Sequence, residues 1–333
     1  MCIRDRYNNG FFTTYLNENR NDSYDVTTQF FANYNKSFGQ HDLSAMIGYE
    51  DYYAFWENLS ASRDQYELTN FPYLDLGPET LRDNGGNAEE YAYRSFFGRV
   101  TYNYANRYLL QVNFRRDGSS RFAPDSRWAN FPSFSAGYDI ARTDYFKQWS
   151  LPVSQLKVRL SYGRLGNQNG AGLYDYLNFM TLRPDYSNAW LLSGVTSATP
   201  VRGTVALTPS MVSPYITWEK VDNANLGFDL TLLNNRLTIT ADIYQRTTKD
   251  MIGPAEAIPD IGGIAVDQRA KVNNATLRNR GWELSVNWSD QLKNGFSYGI
   301  GFNIFDYKAV VTKYNNPEGL ILSLIHISEP TRP

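Results

Sequence analysis

The chain has 333 residues, a formal net charge of −2 and an aromatic content of 15%. The near-neutral charge argues against a nucleic-acid partner, because no basic field would displace counterions from phosphate. One Cys and two His exclude an internal disulfide and leave too few ligands for a zinc or haem site, so we expect no metal and no cofactor.

The two ends of the chain fit no strand pattern. Residues 1–6 and 322–333 look like translated sequencing-adaptor read-through, and we expect both to be non-native. Setting them aside removes Cys2 and His326 and leaves 7–310 as one predicted β-domain. No stretch approaches the roughly 18 apolar residues that a membrane helix requires.

Apolar and polar residues alternate with a period of two along much of the chain, which predicts strands with one apolar and one polar face. In 155–164, for example, Val158 and Leu160 alternate with Lys157 and Arg159. Successive strands of about ten residues with this pattern are typical of a transmembrane β-barrel wall. The eleven predicted strands are 8–18, 25–36, 41–54, 93–104, 107–117, 132–141, 155–164, 222–233, 236–247, 279–290 and 295–307.

The connections between these strands alternate between short and long, which predicts two different rims with the long loops on the cell exterior. Asn234-Asn235 suits a tight turn that needs positive φ. The short connections are 36–40, 105–106, 142–154, 234–235 and 291–294. The long ones are 55–92, 118–131, 165–221 and 248–278, and loops of this length are expected to carry function.

Five motifs follow one another along this pattern: RRDGSSRF at 115–122, LKVRLSYGRLGN at 156–167, TWEK at 217–220, LGFD at 226–229 and NRGWEL at 279–284. Each motif is weak alone, but their order and spacing are specific. Together they resemble the SusC/RagA-type TonB-dependent outer-membrane transporters of the Bacteroidota. The resemblance extends from about Phe11 to Tyr307.

The resemblance implies an all-β fold, an antiparallel transmembrane β-barrel of 22 strands filled by an N-terminal plug. This chain would supply about 11 of the 22 strands and neither the plug nor the segment that contacts TonB, so alone it should transport nothing. The implied location is the bacterial outer membrane, in contact with its lipid. The implied activity is import of a glycan, oligosaccharide or peptide too large for porins, with a SusD-like lipoprotein as lid and TonB–ExbB–ExbD as energy source.

Two sets of residues are candidates for contact with the transported molecule. Aromatic rings in the long loops could stack on sugar faces, and polar residues on the inward face of the strands would line the lumen. The substrate-binding candidates are Trp56, Tyr174, Tyr176, Tyr186 and Trp190. The lumen-facing candidates are Arg99, Gln111, Asn113, Arg115, Lys157 and Arg159.

The densest charge cluster in the sequence is better explained by structure than by ligand binding. It comprises Arg115, Arg116, Asp117, Arg121 and Arg127, and we expect a network of Arg–carboxylate bonds to hold the 118–131 loop against the wall.

Three alternatives remain at this point. A siderophore receptor would share the fold. A barrel enzyme would need a His-based site, for which only His41 is available, and its position predicts a solvated turn residue, so we predict no enzyme. A secreted adhesin would bury the apolar faces between two sheets.

Overall fold

Ten of the strands in the computed structural model join in one sheet, in which each strand lies beside its neighbours in the chain. The structure describes residues 6–8, 11–13, 15–66, 73–148, 152–180, 182–183, 205–206, 211–254 and 269–314. Residues 1–5 and 322–333, for which non-native origin is expected, lie outside these ranges. The described strands are β1 Arg6–Asn8, β2 Phe11–Thr13, β3 Tyr15–Phe38, β4 His41–Asp64, β5 Arg82–Tyr104, β6 Tyr108–Ser119, β7 Trp128–Asp139, β8 Val153–Asn167, β9 Leu182–Arg183, β10 Val205–Ala206, β11 Glu219–Leu232, β12 Leu237–Pro254, β13 Lys271–Gln291 and β14 Ser297–Tyr314.

The ten-stranded sheet follows the order β14-β13-β12-β11-β8-β7-β6-β5-β4-β3, and β1-β2 and β10-β9 form separate two-stranded ladders. A short helix, α1, spans Asp144–Lys147. Within the described residues, no helix is both long and apolar enough to cross a membrane. By contact density the chain divides into two units, one with residues 1–30 and 49–95 and the other with 31–48 and 96–333.

The first unit corrects the predicted strand count. Two strands were predicted at 8–18 and 25–36, but the structure has one continuous strand, β3, from Tyr15 to Phe38. The polar run at 19–24 resembles a turn in the sequence, yet its residues bond across to β4, as Asn58 Nδ2 does to Asn21 Oδ1. Pairing with a neighbouring strand therefore outweighs the local turn preference.

The predicted loop 55–92 is also too long, because β4 continues to Asp64 and β5 begins at Arg82. Polar cross-strand pairs hold these extensions within the first unit. Ser60 Oγ on β4 donates to the carbonyl oxygen of Gly85 on β5 at 3.3 Å, and the Tyr53 hydroxyl donates to Glu90 at 3.1 Å. Strand residues that are polar on both faces carry no alternation, so the sequence pattern ends before the strand does.

In the second unit the sheet has an apolar face and a polar face. Leu226 pairs with Leu160 on one side and Ile243 on the other, and Ile243 pairs with Trp282, so one apolar row crosses four neighbouring strands. These side chains are 42–65% exposed. An adhesin-like sandwich would bury them, so the described residues of this unit do not support that alternative.

The short connections of the second unit meet at one rim. Backbone hydrogen bonds join neighbouring connections, from Ala105 N to Gln40 O at 2.7 Å and from Leu233 N to Pro152 O at 2.8 Å. Asn234 and Asn235 have φ of 56° and 68°, as the predicted tight turn requires. The alternation of short and long connections is thus confirmed for this rim.

A row of aromatic rings follows the same rim. Tyr108 stacks on Tyr138 at 5.0 Å and lies 6.1 Å from Tyr104, and the His41 ring lies 4.7 Å from Tyr104 and 5.0 Å from Phe38. His41 Nδ1 also lies 2.7 Å from the Tyr102 hydroxyl. The prediction of a solvated His41 is wrong, because the residue is half-buried within this row. Such rows border the apolar band of membrane barrels.

Phe302, which is 59% exposed on the apolar face, provides a test of that face. We expect Phe302→Arg to lower the free energy of unfolding by about 2–4 kcal/mol in a bilayer, since a lipid-facing cation near mid-depth costs that much. Urea titration in lipid vesicles measures the change. The control is Asn303→Arg on the polar face; an equal loss for both variants would contradict the assignment of the faces.

Candidate functional site

The polar face of the second unit carries a hydrogen-bonded network across three strands. Arg99 Nε on β5 donates to Asn113 Oδ1 on β6 at 2.8 Å. Gln111 Nε2 donates to the same oxygen at 3.4 Å, and Asn113 Nδ2 donates to Ser133 Oγ on β7 at 3.2 Å. Three of the predicted lumen-facing residues therefore lie together and fix one another's orientation.

Arg159 is the centre of a second polar-face cluster. Its Nε and Nη2 donate to the two carboxylate oxygens of Asp229 at 2.7 and 3.0 Å, and Nη2 also reaches Asp242 at 3.1 Å. A bidentate contact of this kind fixes the guanidinium plane as well as its position. Two carboxylates therefore share this one cation, and the Lys157 ammonium lies on the same face, opposite Asp229 in the ladder.

Gly227 makes room for that cluster. It pairs with Arg159 on β8 and Asp242 on β12, and a Cβ at this position would lie 2.6 Å from both side chains. Lys157 lies opposite Asp229 in the ladder, and its stem passes 3.1 Å from the position of a Cβ on Gly137.

Arg115, at the end of the face nearest the long loops, pairs with Asp117 at 2.8 Å and lies over the Phe97 ring at 5.4 Å. Arg121 donates to the carbonyl oxygen of Ala171, and Arg127 Nε donates to that of Phe122 at 3.4 Å. The predicted Arg–carboxylate bond is therefore present at Arg115, whereas Arg121 and Arg127 hold the loops through backbone carbonyl groups.

The long connections of the second unit meet around a small buried core that the sequence pattern did not predict. Trp218 lies 5.2 Å from Phe122 and 5.5 Å from Phe131, and its Nε1 donates to Arg127 O at 2.8 Å. Ala171 and Ile216 complete the buried cluster. It joins the 120–127 connection to the segment before β11, so these loops are anchored to one another.

Polar contacts extend this anchor to β12 and β13. Glu219 is buried and accepts from Asn167 Nδ2 at 2.6 Å and from Ile252 N at 2.9 Å. Asn273 accepts from Thr217 N and donates to Thr217 O, both at 2.9 Å. The TWEK motif at 217–220 marks this junction in the sequence, although the motif alone does not reveal its partners.

The predicted substrate-binding aromatics have different surroundings. Trp56 is exposed on β4, in the first unit. Tyr174 is half-buried and contacts Phe179 edge-on at 6.2 Å, and Tyr176 is half-buried in the same segment. Tyr186 and Trp190 lie outside the described residues. Asp175, between the two tyrosines, accepts from Gly172 N at 2.7 Å and from Lys271 Nζ at 2.8 Å, which anchors their segment to β13.

These features together define a class of protein. An antiparallel sheet with an exposed apolar face, a hydrogen-bonded polar face, a rim of short turns bordered by aromatic rings and long loops at the other ends of the strands is typical of the wall of an outer-membrane β-barrel. A family model for TonB dependent receptor-like β-barrels matches residues 3–324. The chain belongs to this family and is of the SusC/RagA type.

Two relatives of the chain are much longer than the chain itself. It is 30% identical to TonB-dependent receptor SusC of Bacteroides thetaiotaomicron, over 84% of this chain and 26% of that receptor. It is 28% identical to TonB-dependent receptor P39 of Formosa agariphila, over 87% of this chain and 26% of the relative. The chain therefore spans about a quarter of the length of these relatives.

Solved structures of outer-membrane transporters are similar to this chain. The RagAB peptide importer in its closed-closed state matches 92% of this chain and 32% of its own, with a TM-score of 0.77 and 26% identity. The Escherichia coli outer-membrane transporter YddB matches 87% of this chain and 34% of its own, with a TM-score of 0.50 and 13% identity, and that likeness concerns the fold alone.

The Arg159 cluster yields a prediction. We expect Gly227→Ala to displace the guanidinium from its two carboxylates and to lower the free energy of unfolding by about 1–2 kcal/mol, measured by urea titration in vesicles. Gly299→Ala is the control, since the nearest atom to its Cβ would be 3.6 Å away. Equal stability of Gly227→Ala and the unsubstituted protein would show that the cluster does not depend on this space.

Proposed function

We propose that this chain forms part of the wall of an outer-membrane transporter that imports a large nutrient by a TonB-dependent mechanism. Membership of the TonB-dependent receptor family is the observation that carries the proposal. In this proposal the wall works together with a plug and a contact with TonB. ExbB and ExbD, with TonB, supply the energy.

In this arrangement the polar face lines the passage. Arg99, Gln111 and Asn113 are joined by side-chain hydrogen bonds, and Arg159 is neutralised by two carboxylates. Most of these groups already have partners within the wall. They therefore form a hydrated polar surface with fixed side-chain orientations, without strong isolated charges. Such a surface lets a polar molecule pass without binding it tightly.

The substrate we favour is an oligosaccharide. Tyr174 and Tyr176 belong to a segment that Asp175 fixes to β13 through Lys271, so their rings are held near the long loops. Fixed rings with nearby carboxylate and amide groups suit the apolar faces and hydroxyl groups of sugars. A SusD-like lipoprotein would close the long-loop side over the bound sugar.

A peptide is the second candidate, because the RagAB structure is that of a peptide importer and shares 26% identity with this chain. A catalytic role is not part of the proposal, since the family consists of receptors and transporters. His41 is committed to the aromatic row at the opposite rim.

The experiment uses the intact transporter gene that contains this sequence. We expect its deletion to abolish uptake of fluorescently labelled oligosaccharide, and the double variant Tyr174→Ala/Tyr176→Ala to reduce uptake roughly tenfold, since each stacked ring contributes on the order of a kcal/mol. Tyr145→Ala, an exposed tyrosine of the short-turn rim, is the control and should retain uptake.

Two results would contradict this proposal in different ways. Loss of labelled-peptide uptake with unchanged oligosaccharide uptake would assign the transporter to peptides. Normal uptake of both after deletion would reject the import function itself.

A further inference from the structure

A groove of about 600 Å³ lies on the apolar face, across β8, β11, β12, β13 and β14. Leu160, Leu226, Ile243 and Trp282 form its apolar floor. Ala224 also lines it, and this small side chain lies in the ladder between Tyr162 and Gln245. A small residue in a row of larger ones produces the depression in the surface.

The groove crosses the boundary of the apolar band on the side of the long loops. On β12 the residues of this face are Leu237, Ile239, Ala241 and Ile243, and the next one towards the long loops is Gln245. On β13 the corresponding change occurs from Trp282 to Arg280, which pairs with Gln245. One end of the groove therefore lies within the apolar band, and the other lies at the level of polar head groups on the exterior side.

Two cations border the polar end of the groove. Arg280 is exposed and donates to Gln245 Oε1 at 2.6 Å, without a carboxylate partner in the described part of the chain. Lys308, its partner in the ladder, is exposed and forms no ion pair with any described residue. Asp306 is the carboxylate among the lining residues, so the lining carries a net positive charge.

The neighbouring row of the same face is also positive. Asp222 is shared by Arg164 at 2.7 Å and Lys249 at 2.9 Å, so two cations meet one carboxylate. Cations at the edge of a lipid-exposed face lie at the level of the lipid head groups, where an anionic head group attracts them.

We propose that this groove binds a phosphate-bearing lipid of the outer leaflet. The phosphate would accept hydrogen bonds from Arg280 and Lys308, and an acyl chain would cover Leu226, Ile243 and Trp282. Free phosphate would leave the apolar floor uncovered, and a zwitterionic lipid would not balance the excess charge. This site goes beyond the proposed import function, because it faces the membrane and not the passage.

The test measures lipid retention by the intact transporter, with lipid A as the probe. Native mass spectrometry after detergent exchange should show bound lipid A, and Arg280→Gln/Lys308→Gln should weaken binding roughly 10- to 30-fold, because each basic residue near an anionic lipid contributes about fivefold. Ala224→Leu, which fills the groove and keeps both cations, should also weaken binding. Heat-dependent gel mobility checks that each variant is folded.

Arg246→Gln/Lys293→Gln is the matched control. It removes the same charge from the opposite face of β12 and from the short-turn rim, and it should retain lipid A. Retention by the groove variants equal to that of the unsubstituted protein would overturn the proposal, as would an equal loss in the control. Equal binding of phosphatidylcholine would also overturn it. Oligosaccharide uptake is scored separately, so failure of this proposal is distinguishable from failure of the import function.

Discussion

Backbone N–H and C=O groups inside a bilayer have no water to bond, so a strand can lie there only when strands on both sides satisfy them. In the ten-stranded sheet each inner strand pairs with the preceding and the following strand of that sheet, through short turns at one end and longer connections at the other. This pairing leaves the side chains free to differ between faces. Apolar residues then contact lipid on one face, while the other face assembles polar networks around Asn113 and Arg159.

The short-turn rim and the long-loop rim are stabilised by different contacts. At the short rim, tight turns with positive φ at Asn234 and Asn235 reverse the chain with few residues, and stacked aromatic rings border the apolar band. At the long rim, loops need a core of their own. Phe122, Phe131 and Trp218 supply it, and arginine side chains bond the loop carbonyl groups. The rim that would meet a substrate is therefore anchored as well as long.

The sequence pattern predicted the features that the bilayer imposes. Alternation identified β6, β7, β8 and β11 to β14 and assigned Arg99, Gln111, Asn113 and Arg159 to one face. It failed at β9 and β10, which lie in a predicted loop, and where apolar residues are sparse: β4 and β5 extend through largely polar residues, and β3 passes through an apparent turn at 19–24. The Trp218 core and the Arg164–Asp222–Lys249 cluster depend on contacts between residues that are far apart in the chain. The local alternation of apolar and polar residues does not predict such contacts.

The central claim is that lipid contacts the apolar face of the sheet and water contacts the other. Nitroxide labels placed singly at Leu284, Ser285, Val286 and Asn287 of β13, in a cysteine-free version of the intact transporter in bilayers, test it directly. Collision with oxygen should be high at 284 and 286, and collision with a water-soluble nickel complex should be high at 285 and 287. A flat profile, or one with these positions exchanged, would contradict the account.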